Sequence, residues 1–241
     1  MRIVTYRDLK SKDGLMPLMD HAFRWVFNQT EFEHSIKTDP RLKEGPVGFC
    51  ALEDSLIIGQ VGVMDIPTRT ANGDIECVGG IYGAATLPGY TSQGVCTTLM
   101  NIAHDYFIEK GHDFSFLVTS QSLIAHSLYR RLGYSDLIEY PSAYKNIENK
   151  RQKTHAEKSP KLDFDKILKM YNIFTEDKTG FVVRDKAFMK AVAKGEQINP
   201  KQCIANKNGY MIFRDDKSGI DIREIIALNG REMDRLVDSA E

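Results

Sequence analysis

The stretch PGYTSQGVCTTLM, Pro88 to Met100, follows the apolar run GIYGAATL, which reads as a buried strand. It leads into an amphipathic helix across a short polar turn that holds Gly94. A strand, a glycine turn and a helix start leave several backbone N–H groups pointing one way, at the positive end of the helix dipole. Such a cradle takes an anion without needing a lysine. The donors would be the N–H groups of Ser92 to Thr97, and Gly94 lets a ligand approach because it carries no Cβ. Upstream, Pro88 and its neighbours can end strand pairing and splay this strand from the parallel one that follows. A splayed pair offers free N–H and C=O groups to an extended ligand that contains amides. Pantetheine is such a ligand, and coenzyme A joins it to a pyrophosphate.

The elements that must hold this stretch are legible on either side of it. RIVTYR reads as a short strand, and GLMPLMDHAFRWVFNQ as a helix starting near Pro17, which fits only a first turn. VGFCALED and LIIGQVGVMDIPTR flank the polar turn Glu53-Asp54-Ser55, and Asn72-Gly73 marks a second hairpin that returns into CVGGIYGAATL. After the turn, Leu99, Ile102, Ala103, Tyr106 and Phe107 recur at helical steps, with Gly111 as a left-handed cap. FSFLVTS reads as a strand and SLIAHSLYRRLGY as a helix ending at Gly133, so the antiparallel meander closes on one parallel pair.

From Asn146 to Lys161 large apolar residues almost vanish, which marks a connection. Beyond it, FDKILKMYNIF and DKAFMKAVAKG read as helices, KQCIANKNGYMIFRDD and GIDIREIIAL as strands, and GREMDRLVDSAE as a terminal helix. The expected organisation is an α/β domain over residues 1–150, a linker over 151–161 and a smaller α+β domain over 162–241.

Composition narrows the class. With 32 basic and 33 acidic residues the net charge is −1, so neither nucleic acid nor an anionic membrane is expected as a partner. Cys50, Cys77, Cys96 and Cys203 are scattered without C-x-x-C or zinc-like spacing, which predicts reduced thiols and no metal. MRIVTYRDLK lacks the apolar core of a signal peptide, and no apolar run reaches the roughly 18–20 residues that span a bilayer, so a cytoplasmic protein is expected. GGIYG at 79–83 lacks G-x-G-x-x-G spacing, and no Walker lysine is present, which sets nucleotide-binding classes aside.

The run AATLPGYTSQGVCTTLM resembles motif A of the GNAT acyltransferases, and SLIAHSLYRRLGY resembles their motif B, with Ala125, Leu128-Tyr129 and Gly133-Tyr134 in register. From Asp65 to Tyr144 the chain is most similar to the Eis-like branch, in which a degenerate second GNAT-like domain follows the first; residues 162–241 resemble part of it. Three positions depart from the motifs: Thr91 stands for Arg or Gln, Cys96 for a small residue and Ser122 for Asn.

The resemblance implies a GNAT fold, a mixed and mostly antiparallel sheet with one splayed parallel pair, and transfer of acetyl from acetyl-CoA to a primary amine on a small molecule or protein. Tyr129 would be the general acid, since a phenol with a pKa of about 10 suits a thiol near 8.5. The pyrophosphate would meet the backbones of Ser92, Gln93, Gly94, Val95, Cys96 and Thr97. Ala84, Ala85 and Thr86 would hold the pantetheine and polarise the acyl carbonyl, and Ser120, at the end of the parallel strand, would meet the pantetheine. Asp20, His21, Glu31, Glu33 and His34 lie where the family lines its acceptor side, with Phe23 and Trp25 as walls, and His126 lies one turn before Tyr129; none is singled out as the base. The alternative is a non-catalytic CoA-binding sensor or assembly protein that keeps the fold. Self-assembly into a homo-oligomer is compatible with the sequence.

Overall fold

Short alternating segments at the start of the chain build one sheet. Arg2–Thr5 forms β1, Leu15–Phe23 α1, Gln29–Thr38 α2, Gly48–Glu53 β2, Leu56–Arg69 β3 and Ile75–Thr86 β4. Val95–Glu109 forms α3, Ser115–Phe116 β5 and Ile124–Arg131 α4. The computed structural model describes residues 1–24, 27–139, 143–144, 163–195, 198–216 and 219–239, and the expected linker falls outside them. Contacts divide the chain into two units, Met1–Thr68 with Ile75–Glu139, and Arg69–Asp74 with Tyr140–Glu241.

In the first unit the strand order is β1-β2-β3-β4-β5, with β1–β2 and β2–β3 antiparallel and β4–β5 parallel. The expected mixed sheet with its parallel pair is present. The β2–β3 turn bends through Asp54 at φ 52°, a left-handed conformation that Asp tolerates. α1 starts at Leu15, places Pro17 in its first turn and stops at Arg24, which is left-handed at φ 54°; Trp25 and Val26 lie outside the described residues. A second helix follows that the periodicity did not suggest: Asn28 caps α2 by accepting from the Glu31 N–H at 3.1 Å.

Two cores face the two sides of the sheet. Leu15 and Leu18 of α1 and Ile36 of α2 pack with Cys50, Leu52, Ile57 and Ala85. Val95, Leu99, Met100, Ala103 and Phe107, one stripe of α3, pack with Ala51, Ile58, Val61, Val63 and Ile81 on the opposite face. A Cβ on Gly59 would stand 2.7 Å from Val95 Cγ1, so glycine there lets the first turn of α3 sit directly on β3.

In the second unit Phe164–Thr175 forms α5, Lys186–Gly195 α6, Cys203–Ala205 β6, Gly209–Asp216 β7, Gly219–Ala227 β8 and Gly230–Asp238 α7. The antiparallel sheet β6-β7-β8 alternates its residues between two cores. Tyr210 and Ile212 pack with Ile167, Met170 and Phe188 of α5 and α6, whereas Met211 and Phe213 pack with Leu236 of α7. The run expected as one strand is two because the Asn206 side chain accepts from the N–H groups of Asn208 and Gly209, at 2.8 and 3.2 Å, and turns the chain. Among the described residues no helix is long and apolar enough to cross a membrane.

The α3 stripe carries a measurable share of stability. Leu99→Ala, at a fully buried position, is expected to cost about 2–5 kcal/mol by urea denaturation, whereas Ile108→Ala, on the exposed face, should stay within about 0.5 kcal/mol.

Candidate active site

The parallel pair is short. Only Gly79↔Ser115 and Gly80↔Phe116 are paired, after which β4 runs on to Thr86 while the other chain leaves strand geometry. The strand expected over FSFLVTS is therefore cut to Ser115–Phe116, and Ser120 sits in the turn into α4 rather than at a strand end. There its Oγ lies 2.8 Å from Ser122 Oγ and accepts from the Ser122 N–H at 3.3 Å.

The parting begins well before Pro88, and a bulge accompanies it. Ile81 and Ala84 pack on the α3 side of the sheet, whereas Tyr82 and Ala85 pack on the α1 side, so Gly83 is an extra residue in the alternation. Its φ of +56° is one that glycine adopts without strain. Leu87 N–H still donates to Ile58 O at 2.9 Å, which keeps the end of β4 on β3. Among the described residues no strand pairs with the edge of β4 that faces away from β3 beyond Gly80. Thr86 Oγ1 is buried there with no hydrogen-bond partner among the described residues.

The chain then makes a tight turn at Pro88–Tyr90. Its form is fixed by Thr91 Oγ1 donating to Pro88 O at 2.9 Å, Gln93 Nε2 donating to Gly89 O at 2.8 Å, and the Tyr90 hydroxyl donating to Glu53. Ser92 at φ 60° and Gly94 at φ 80° are left-handed, a backbone form in which successive N–H groups converge as an anion nest. α3 has no side-chain cap, and its first ladder bond runs from Thr98 N–H to Gly94 O at 2.9 Å. Among the described residues no hydrogen bond uses the N–H groups of Ser92, Gln93, Gly94, Val95, Cys96 or Thr97. Among the described residues nothing lies within 4 Å of the place a Cβ on Gly94 would take.

Tyr129 of α4 packs against the α3 core, as does Cys96. Burial pushes its phenol up to about 12, with smaller contributions from the Cys96 thiol and Tyr134. The same burial raises Cys96. Among the described residues the Tyr129 hydroxyl makes no hydrogen bond.

The other candidates are placed differently. His126 Nε2 lies 2.8 Å from Asp136 Oδ1, and that bond holds the Asp136 carboxyl below the usual range. Glu33 accepts from the Tyr6 hydroxyl at 2.9 Å and lies 3.4 Å from Lys12 Nζ. Asp20, His21, Glu31 and His34 are exposed, and so is Phe23. Over the α1 side of the sheet Tyr6, Phe27, Phe32 and Tyr82 form an edge-to-face aromatic group. Beneath the bulge, Gln60 is only 4% exposed, and its Nε2 lies 3.4 Å from the position of a Gly83 Cβ. A glycine inside a strand run was the available signal for the bulge; Gln60, a lone amide in an apolar strand, had none.

Residues 5–136 match the family model for an acetyltransferase (GNAT) domain. A solved GCN5-related N-acetyltransferase from Kribbella flavida superposes over 99% of this chain with a TM-score of 0.65 at 15% identity, and the chain spans 60% of that protein's length. An aminoglycoside antibiotic 6'-N-acetyltransferase from Acinetobacter haemolyticus aligns over 61% of this chain and 100% of its own, at 18% identity and a TM-score of 0.45. No curated protein matches the chain.

The left-handed turn can be tested without any ligand. Gly94→Ala is expected to lower stability by about 1–2 kcal/mol through φ strain alone, since the added methyl meets nothing within 4 Å among the described residues. Gly94→Asn should cost clearly less, because Asn visits this conformation; equal losses by chemical denaturation would contradict the assigned backbone.

Proposed function

The chain belongs to the GNAT acetyltransferase family, and from that premise we propose that it moves the acetyl group of acetyl-CoA directly onto a primary amine of a small molecule or protein. The observation that carries this reading is the row of N–H groups from Ser92 to Thr97 that no hydrogen bond uses among the described residues, following in sequence the part of β4 that leaves β5, with Cys96 and Tyr129 on the same core. A pyrophosphate fits that row because it supplies acceptors where the helix dipole favours negative charge. Ala84, Ala85 and Thr86 offer backbone groups to the pantetheine amides, and the buried Thr86 hydroxyl, which has no partner among the described residues, gains one. An N–H on the same part of β4 polarises the acetyl carbonyl and takes up charge as the amine adds.

Tyr129 meets the departing sulfur. Like any phenol it is protonated at neutral pH, and with its pKa raised further it acts first as a hydrogen-bond donor to the developing thiolate. Complete proton transfer from a phenol near 12 to a thiolate whose acid form titrates at about 8.5 runs uphill in water. Desolvation reduces that mismatch, because the burial that raises Cys96 beside Tyr129 also raises a CoA thiol held there. The amine ends as an amide and CoA leaves as the thiol; the carbonyl passes between them with no enzyme ester.

A second reading, CoA binding without turnover, is favoured by one detail: Thr91 presents a short hydroxyl already turned to Pro88 O where the family motif has a longer side chain. We also read residues 162–241 as a degenerate GNAT-like domain of the Eis-like type, following an acyl-CoA-binding domain over 1–150 and a linker over 151–161. The balanced charge supports neither nucleic acid nor membrane as partner, the scattered cysteines support a cytoplasmic protein, and homo-oligomer formation fits this reading.

Thiol release from acetyl-CoA across a panel of primary amines tests the reading. Tyr129→Phe is expected to lower kcat by roughly 100-fold while leaving acetyl-CoA affinity within about twofold. Because the protonated phenol is the active form, wild-type kcat should not fall at the pH of about 10 where an ordinary tyrosine ionises, but only toward 12. Saturable CoA binding with no thiol release from any amine would favour the second reading.

A further inference from the structure

The last turn of α4 shows how Tyr129 is held. YRRLGY closes as a Schellman motif: Gly133 is left-handed at φ 94°, its N–H donates to Arg130 O at 3.2 Å, and Tyr134 N–H reaches back to Tyr129 O at 3.1 Å. The motif brings the two tyrosine rings together edge to face, with centroids 6.1 Å apart.

The Tyr134 hydroxyl then makes two bonds away from α4. It lies 2.7 Å from Ser115 Oγ on β5 and 3.1 Å from His104 Nε2 on α3. Ser115 is the partner of Gly79, beside the last register before the strands part. One hydroxyl thus joins the wall of the fork, the helix whose start forms the cradle, and the helix that carries the acid. Among the described residues α4 has no side-chain cap and no fully buried side chain, although Tyr129 and Leu132 rest on the α3 core, and β5 pairs with β4 through two residues.

We propose that Tyr134 is a positioning residue, whose hydroxyl sets where Tyr129 stands relative to the fork and the cradle. The inference rests on the reading of Tyr129 as the acid. It predicts that losing the Tyr134 hydroxyl acts through Tyr129 and not through CoA affinity, since the ring contact and the backbone bond survive in phenylalanine. A displacement of about 1 Å in a reacting group can cost on the order of 100-fold, so a loss of roughly 10-fold in kcat is expected for Tyr134→Phe. Ser115→Ala removes one of the same ties from its other end and should give a loss of the same kind.

The deciding experiment is a double-mutant cycle on Tyr129→Phe and Tyr134→Phe, read by thiol release and by acetyl-CoA affinity. If Tyr134 works through Tyr129, Tyr134→Phe lowers kcat in the wild type, has no further effect in Tyr129→Phe, and leaves acetyl-CoA affinity unchanged. The inference is overturned if the two losses multiply, if CoA affinity falls with kcat, or if Tyr134→Phe is as fast as wild type. A wild-type rate unaffected by Tyr129→Phe, or no thiol release by the wild type, would instead overturn the catalytic reading itself and this inference with it.

Discussion

A peptide group that leaves a ladder must find another partner, and in this protein that requirement concentrates at one place. β4 is bonded to β3 up to Leu87, yet on its other edge the pairing with β5 stops at Gly80. The chain does not repair the gap. The bulge at Gly83 shifts the alternation, the N–H groups of the left-handed turn at Ser92 and Gly94 find no acceptor among the described residues, and α3 begins without a side-chain cap. A side-chain cap is worth about 1 kcal/mol, so its omission leaves donors available at a small cost in stability. On the proposed reading, a polar, extended, anionic ligand answers these groups together.

The apolar core decides where those groups stand. Gly59 lets Val95 approach β3, and Leu99, Ala103 and Phe107 continue the same stripe, so the start of α3 is fixed by packing rather than by capping. The same core raises Cys96 and Tyr129 by excluding water from their neighbourhood. Packing therefore sets both where the N–H groups at the start of α3 stand and the proton affinity of Cys96 and Tyr129. The charged side chains of the α1 side follow another logic: Glu33 is engaged by Tyr6 and Lys12, and Asp20, His21, Glu31 and His34 face solvent.

Much of this was legible in the sequence because it depends on local periodicity. The stripe of α3, the Asn72-Gly73 hairpin and the glycine after SLIAHSLYRRL each carry their signal within a few residues. The features that escaped depend on partners distant in sequence. FSFLVTS is strand-like throughout, but strand length is set by pairing, and β4 withdraws after Phe116. Gly83 was one glycine among several until the faces of its neighbours revealed the extra residue. α2 was hidden because its apolar positions, Phe32 and Ile36, are few, although Asn28 with Glu31 three residues on was a usable cap signal. The tie from Tyr134 to Ser115 and His104 joins three elements, and no spacing rule relates them.

Amide hydrogen exchange with and without CoA tests the central claim most directly. The account predicts that saturating CoA slows exchange at the backbone N–H groups of Ser92 to Thr97 and along Ala84 to Thr86, with little change in the second unit. CoA that binds while those amides exchange as fast as in the free protein would contradict it.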